Sequence, residues 1–440
     1  MSSAASKPLR VAVLGAGWAG LAAAVQASAD GHEVTVLEMA AQTGGRARRG
    51  GVLASGLAFD NGQHILIGAY AQTLALMRRV GLDPDALLLR QPLTLVDAQG
   101  RGLALPPGRP VPALLRALWH AKHWPLGLRW QLLQGCAGWA FNGFSCPAHW
   151  NVARLTAHWP DELVNELIEP LCVAALNTPM AQASAAVFLR VLRDALFSAP
   201  GASDLMLPRV DLSQLLPEAA NTWLRRQGAQ LQLRTRAQAL VPAGRGWQVD
   251  GQAFDAVVLA TSAVEAARLA APHAPAWASQ ARALQHEPIV SVLLHAPDAR
   301  LPHPMLALRT NRYAPAQFVF DLGQLRRDKD AAEGMLCFVI SGAGSWLDQG
   351  ADTITTAVMA QAKDQLPMLL GKALRCAQVV TERRATFACT PDLRRPDPQV
   401  APGLLAAGDY VAGPYPATLE GAVRSGLSAG AAIARAAAGG

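Results

Sequence analysis

The chain has 440 residues, is 51% hydrophobic and 16% charged, and carries a formal net charge of +7, enough length and apolar content for two domains with large cores. Its six cysteines (Cys136, Cys146, Cys172, Cys337, Cys376, Cys389) include no CxxC pair. A disulfide-stapled fold, a zinc site and a dithiol relay therefore have no support; reduced thiols and no metal are expected. The charge is mild and no nucleic-acid module is visible, so nucleic acid is not expected as a partner.

The polar lead Met1–Ser6 runs directly into an apolar strand, without the n-region and h-region of a secretory signal, so a cytoplasmic location is expected. Leu9–Glu38 reads LRVAVLGAGWAGLAAAVQASADGHEVTVLE. The run Val11–Leu14 breaks at Gly15, Gly17 and Gly20, an Ala-rich helix follows, and Glu33–Leu37 returns as a strand, which together make one βαβ unit. Gly15 permits the tight turn, Gly17 lets the backbone approach a pyrophosphate, and Gly20 lets helix and strand pack closely. The helix N-terminus offers unpaired N–H groups to phosphates. Glu38 ends the second strand, where a carboxylate accepts from ribose hydroxyls and repels a 2′-phosphate, leaving FAD or NAD. Gly44, Gly45 and Arg46 favour FAD, because a Gly pair with a guanidinium suits a second approach to the pyrophosphate.

The fingerprint with its GGR segment resembles the flavoprotein superfamily of amine oxidases, protoporphyrinogen oxidase and carotenoid desaturases. That resemblance implies an α/β fold, with a Rossmann-type FAD-binding domain built on a parallel sheet and interleaved with a mixed α+β substrate domain.

Gly56–Ile67 reads GLAFDNGQHILI. Asp60-Asn61 suit a turn, Gly62 permits close backbone approach to a ring, and His64 opens an apolar run. In the resembled superfamily the D-x-G-x-H segment passes near the isoalloxazine. His64 and Asp60 are candidate proton donors, since imidazole suits proton transfer near neutral pH. The alternatives are a turn-capping Asp60, a half-buried His64 and a water as donor. Ala71–Val80 reads as an amphipathic helix, with Gly81 and Pro84 as breakers.

From about residue 90 the dinucleotide pattern is interrupted. No acidic residue lies between Asp97 and Asp161, while Arg101, Arg109, Arg116, Lys122, Arg129 and Arg154 do. Trp119, Trp124, Trp130, Trp139, Trp150 and Trp159 fall there too, out of eleven tryptophans in all. Bases beside Trp on apolar helical segments, over about 109–159, suit an element lying in the plane of an anionic membrane surface. The expected location is then peripheral, on the inner face of the cytoplasmic membrane, because no window has the roughly 20 mostly apolar residues of a spanning helix. The competing reading is a Trp-rich core face with solvated bases around it.

Glu169–Thr178 (EPLCVAALNT) and Phe188–Leu196 (FLRVLRDAL) carry apolar side chains at helical spacing, more often core than pocket. Gln230–Val241 alternates like one strand, and Phe254–Ala260 adds another; the resemblance places the Val241 backbone against adenine. Ser341–Leu347 (SGAGSWL) lacks a third glycine and a following βαβ unit, so it reads as a turn, and an external partner exchanges electrons with the flavin. Leu404–Ala407 forms a strand ending in Gly408-Asp409, and a helix of small residues opens at Ala417-Thr418. Asp409 suits the ribityl chain, and Thr418 with the amides near Leu419 suits the flavin O2 or pyrophosphate. The expected division is 7–89, 203–271 and 386–440 for the FAD-binding domain, with 90–202 and 272–385 for the substrate domain.

DNGQH, AGD and the blocks PLCVAALNTP, FLRVLRDAL and SDLMLPRVDLSQLLPEA together resemble the hydroxysqualene dehydroxylases of hopanoid biosynthesis. Tyr410-Val411 depart from that pattern, where a Trp-led pair is usual. The resemblance implies a hydrophobic isoprenoid substrate and loss of the allylic hydroxyl of hydroxysqualene, giving squalene and water with reduced FAD as hydride source. Carotenoid-type desaturation, amine oxidation and a non-catalytic flavin-binding role are the alternatives.

Overall fold

The computed structural model describes residues 8–196 and 199–438; the lead Met1–Ser6 lies outside them. A six-stranded sheet organises the described chain. Its strands are β1 (Arg10–Leu14), β2 (Glu33–Glu38), β3 (Gln230–Leu233), β4 (Ala256–Leu259), β5 (Gln399–Ala401) and β6 (Leu404–Ala406), ordered β3-β2-β1-β4-β6-β5. All neighbours are parallel except β5 and β6. The strands are apolar because both faces are covered: β1 and β4 are buried along nearly their whole length. One sheet is thus assembled from the beginning, middle and end of the chain.

Helix α1 (Trp18–Ala29) covers one face together with α2 (Leu419–Ala438). Small residues let the two approach. A Cβ on Gly426 would stand 2.1 Å from the Ala19 carbonyl oxygen and one on Gly430 2.7 Å from that of Ala23. Gly426→Ala therefore has to drive the helices apart. We expect a loss of at least about 1–3 kcal/mol, read as a lower urea midpoint at unchanged slope.

A second, five-stranded antiparallel sheet holds the other half of the core. Its order is Met305–Ala307, Phe318–Asp321, Met335–Ser341, His286–His295 and Arg375–Phe387. Helices from 110 to 196 pack beside it, and their apolar residues share a cluster with it (Leu118, Trp124, Leu132 with Met305, Phe318, Phe320). The mixed parallel and antiparallel architecture is the one expected from the sequence.

Two sequence expectations need correction here. Gln230–Val241 is not one strand. Arg234 takes a left-handed conformation (φ 55°), its N–H donates to the Ala40 carbonyl and that of Thr235 to the Glu38 carbonyl, and the chain leaves the sheet. Leu240–Ala243 pairs instead with Gly246–Val249 in a separate antiparallel sheet. The Trp-rich region, second, is neither wholly core nor wholly surface. Trp124 is buried with its indole N–H on Glu166 and Trp139 stacks on Trp159, whereas Trp119 and Trp130 are 75% and 62% exposed.

Candidate active site: a dinucleotide cradle opening into an apolar chamber

The first turn is held by backbone and one carboxylate. Gly15 sits at φ +104°, and a Cβ there would lie 2.5 Å from the Ala260 oxygen; one on Gly20 would lie 1.9 Å from the Gly15 oxygen. Both glycines are demanded by the fold. Gly17 is different. Its backbone is extended (φ −71°, ψ −179°), which any residue adopts, and its nearest neighbour would be the Gly45 Cα at 3.8 Å. The space before Gly17, at the N-terminus of α1, is therefore reserved for something other than protein.

The GGR segment closes over this space. Gly44 N–H donates to the Ala16 carbonyl, the Trp18 indole N–H to the Ala47 carbonyl at 2.9 Å, and Gly45 takes φ +61° with its Cα against Gly17. Arg46 reaches across to the last third of the chain. Its guanidinium pairs with Asp409 at 2.5 Å and donates to the Ala385 carbonyl at 2.6 Å. Glu38 is buried, accepts from Ala16 N–H at 2.7 Å and from Ala40 N–H at 2.8 Å, and keeps acceptor capacity facing the cavity it helps to line.

That cavity measures about 780 Å³, within the range of cofactor sites. It runs from Glu38 and Ala237 past Gly17, Gly45, Arg46 and Asp409 to an apolar end bounded by Leu171, Ile289, Met305, Phe318 and Val339. Gly62, His64, Thr418 and Leu419 also line it. Thr418 Oγ accepts from Gly421 N–H at 3.0 Å, capping α2. The neighbouring Glu420 points away, fully buried, and accepts from the N–H groups of Gln72 and Thr73 at 3.1 and 2.9 Å and from the Thr73 hydroxyl. It fastens α2 to the start of the Ala71–Arg79 helix, and so holds the α2 N-terminus on the cavity wall.

Two predicted site residues lie elsewhere. Val241 is half exposed and off the cavity, a consequence of the break at Arg234; Thr235, Arg236 and Ala237 form the wall instead. Asp60 does not line the cavity either. It is buried, accepts from Leu212 N–H at 2.8 Å and pairs with Arg326 at 2.5 Å, so its role is to pin the loop that carries Gly62 and His64. Burial pushes its pKa up against the opposing pull of the Arg326 guanidinium and the Leu212 amide, but with its oxygens turned to those partners and off the cavity it is not placed to hand a proton to a ligand there.

His64 does reach the cavity. Its Nδ1 lies 2.9 Å from the Gly62 carbonyl, which can only accept, so Nδ1 carries a hydrogen and a neutral ring leaves Nε2 bare. Burial lowers the imidazole pKa. The ring is thus neutral over most of the pH range and donates from Nε2 only when protonated.

Other participants were hidden from the sequence. Asn61 Nδ2 donates to Glu382 at 2.9 Å, joining the turn to the long strand of the second sheet, and Glu382 lines the cavity. Tyr410 lines it too; its hydroxyl is buried without a partner among the described residues, and burial pushes its pKa up. An orphaned phenol beside Arg46 and Asp409 calls for a polar ligand. The blocks Leu171–Leu176 and Val191–Leu196 contribute to the chamber as well as to core, so the helical stripes serve both purposes. Ser341–Leu347 is a strand end and a one-turn helix.

The cradle before Gly17, the free acceptor capacity of Glu38 and the unpartnered Tyr410 hydroxyl fit FAD, and fold and site together define a FAD-dependent oxidoreductase. The chain belongs to the flavin containing amine oxidoreductase family, whose model matches residues 18–434. Among curated relatives it is 29% identical to a protein named hydroxysqualene dehydroxylase of Rhodopseudomonas palustris, over 94% of this chain and 96% of that one. It is 27% identical to that of Sinorhizobium fredii, over 95% and 97%. A zeta-carotene desaturase of Zea mays is 35% identical over 97 residues, 21% of this chain and 16% of that one. Among solved structures, an oxidoreductase from Methanosarcina mazei superposes with a TM-score of 0.73 at 16% identity, over 95% of this chain and 99% of that one.

Proposed function

We propose that the protein removes the allylic hydroxyl of hydroxysqualene reductively, giving squalene and water. The observation that carries this is the end-to-end likeness to relatives named for that reaction, through both the cradle and the substrate half. Likeness to the desaturase is confined to about a fifth of the chain. The apolar end of the cavity supports a long hydrocarbon substrate.

Reduced FAD, when bound, supplies the hydride. The protein's own residues have three tasks. They hold the polyene, which the Ile289, Met305 and Phe318 walls suit. They exclude water, because a delocalised allylic cation left by the departing hydroxyl is otherwise quenched by it. They deliver one proton to the leaving oxygen, so that a C–O bond breaks, a C–H bond forms and water leaves. His64 is the residue we assign to the last task, as imidazolium donating from Nε2. The electrons that reduce the flavin come from an external partner.

The test is an anaerobic single turnover of chemically reduced holoprotein with hydroxysqualene in detergent, followed by lipid mass spectrometry and flavin absorbance. Squalene should appear as the flavin reoxidises. Because the His64 pKa is lowered, the active imidazolium grows as pH falls below neutrality, so the rate should rise toward acid. His64→Gln should remove that acid limb and slow the step by about a hundredfold or more. A flat profile in the native protein would move the proton to a water. Desaturated product from oxidised enzyme and a polyene, with no squalene, would replace the dehydroxylase by the desaturase.

A further inference from the structure

The described residues include twelve exposed large hydrophobic side chains, and six of them lie in one short part of the chain: Val111, Leu115, Trp119, Leu126, Trp130 and Phe141. They fall on two helices, Pro110–His120 and Leu126–Phe141. Spacings of four within the first (111, 115, 119) and of four and eleven in the second (126, 130, 141) put each set on one helical stripe. The short loop between the helices is fastened by Arg129, whose guanidinium donates to the carbonyls of Trp124 and Trp119. The end of the first helix, which carries Trp119, is thereby tied to the start of the second, which carries Leu126 and Trp130. A soluble surface has no use for two tryptophans 75% and 62% exposed beside a leucine 75% exposed.

Buried residues of the same two helices join the apolar cluster of the second sheet. Ala117, Leu118 and Leu132 are buried in the same cluster as Met305, Phe318 and Phe320, and the latter three line the apolar end of the cavity. The two helices contribute no lining residue themselves, but their buried side chains share the apolar cluster of residues that do.

Charge selects the occupant. No carboxylate occurs from residue 98 to 160, and Arg109, Arg116 and Lys122 are exposed around the stripe. A partner protein with an apolar groove would satisfy the hydrophobic side chains alone. Indole rings at a polar–apolar boundary, flanked by bases with no acid among them, match an anionic bilayer, where rings sit at headgroup depth and bases meet phosphates. Among the described residues no helix is long and apolar enough to cross a membrane, so contact is in the plane. We propose that the Pro110–His120 and Leu126–Phe141 helices dock the protein on an anionic lipid surface, bringing the apolar end of its chamber against the layer in which a long isoprenoid dissolves. Only the last clause rests on the proposed substrate.

Flotation of the FAD-loaded protein with vesicles of phosphatidylcholine, with and without phosphatidylglycerol, tests this. The native protein should float with the anionic vesicles and be released by salt. Trp119→Ser with Trp130→Ser should weaken binding by about tenfold or more at unchanged flavin content. Removing the charges of Arg109 and Lys122 as serines should cost on the order of fivefold each on anionic vesicles only. Native protein that stays down with phosphatidylglycerol vesicles overturns the proposal, as does a Trp119/Trp130 double variant that floats like the native chain. So does a solution dimer that the double variant dissociates while vesicle binding is absent. Failure of the hydroxysqualene assay leaves vesicle binding unaffected, so the two readings fail separately.

Discussion

Replacing Gly17 by valine will strip the protein of FAD while leaving the apoprotein folded. The two halves of this expectation come from one geometric fact. Valine can adopt the extended Gly17 backbone, and its Cβ finds no protein atom nearer than 3.8 Å. The apo fold then changes by no more than about 1 kcal/mol, the scale of altering a helix N-cap. In the holoprotein the same side chain stands where the pyrophosphate approaches the α1 amides. Overpacking of about 1–3 kcal/mol corresponds to about 5- to 150-fold in affinity, and the upper end is expected because the ligand cannot retreat without losing those amides. Desalting followed by flavin absorbance reads the first half, and urea unfolding of stripped protein reads the second. Gly20→Val is the contrast: its Cβ would strike the Gly15 carbonyl oxygen at 1.9 Å, so the apoprotein itself should fail. Full flavin retention in Gly17→Val would remove the cradle from the account.

The second large effect is expected at Arg326. It is 6% exposed at its side chain, as Asp60 is at 5%, and it also donates to the Val210 carbonyl. Arg326→Leu leaves the Asp60 carboxylate buried with only the Leu212 amide for company. Breaking a buried pair from one side costs about 3–5 kcal/mol. Asp60→Asn combined with Arg326→Leu should recover a good part of this, because a neutral amide oxygen still accepts from Leu212 N–H and no charge is stranded. Thermal unfolding of the two variants decides it. A single variant as stable as the native protein would show that the pair does not hold the Asp60–His64 loop in place.

What the sequence disclosed was what local geometry determines. Gly15, Gly17, Gly20 and Glu38 lie in one βαβ unit whose spacing fixes their placement, and Asp409, Thr418 and Leu419 lie in the connection from the last strand of the sheet to the helix that follows it. Residues whose roles depend on distant partners were read less well. Nothing near Asp60 announces Arg326, so a buried ion pair looked like a candidate acid. Alternation across Gln230–Val241 gave no sign of the left-handed Arg234, and the residue this segment gives to the cavity wall was placed at Val241 where Thr235, Arg236 and Ala237 stand. Tyr410 was visible only as a departure from the expected pattern, and its unpartnered hydroxyl required coordinates. The Trp-rich stretch shows the same division, since hydrophobicity alone cannot distinguish Trp124 in the core from Trp119 on the surface.

The order of strands in the parallel sheet has a consequence for how the protein is made. β1 and β2 leave the ribosome early, but β1 is flanked by β4, and β4 by β6, near the end of the chain. At 5–20 residues per second, roughly 20–70 s pass between synthesis of Glu38 and of Ala406. During that interval the sheet that carries the nucleotide fingerprint lacks its last two strands, and α1 lacks the helix that covers it. Cofactor loading is therefore a late event in the life of the chain, and a nascent protein stalled before β6 should present apolar α1 to chaperones instead of a flavin site.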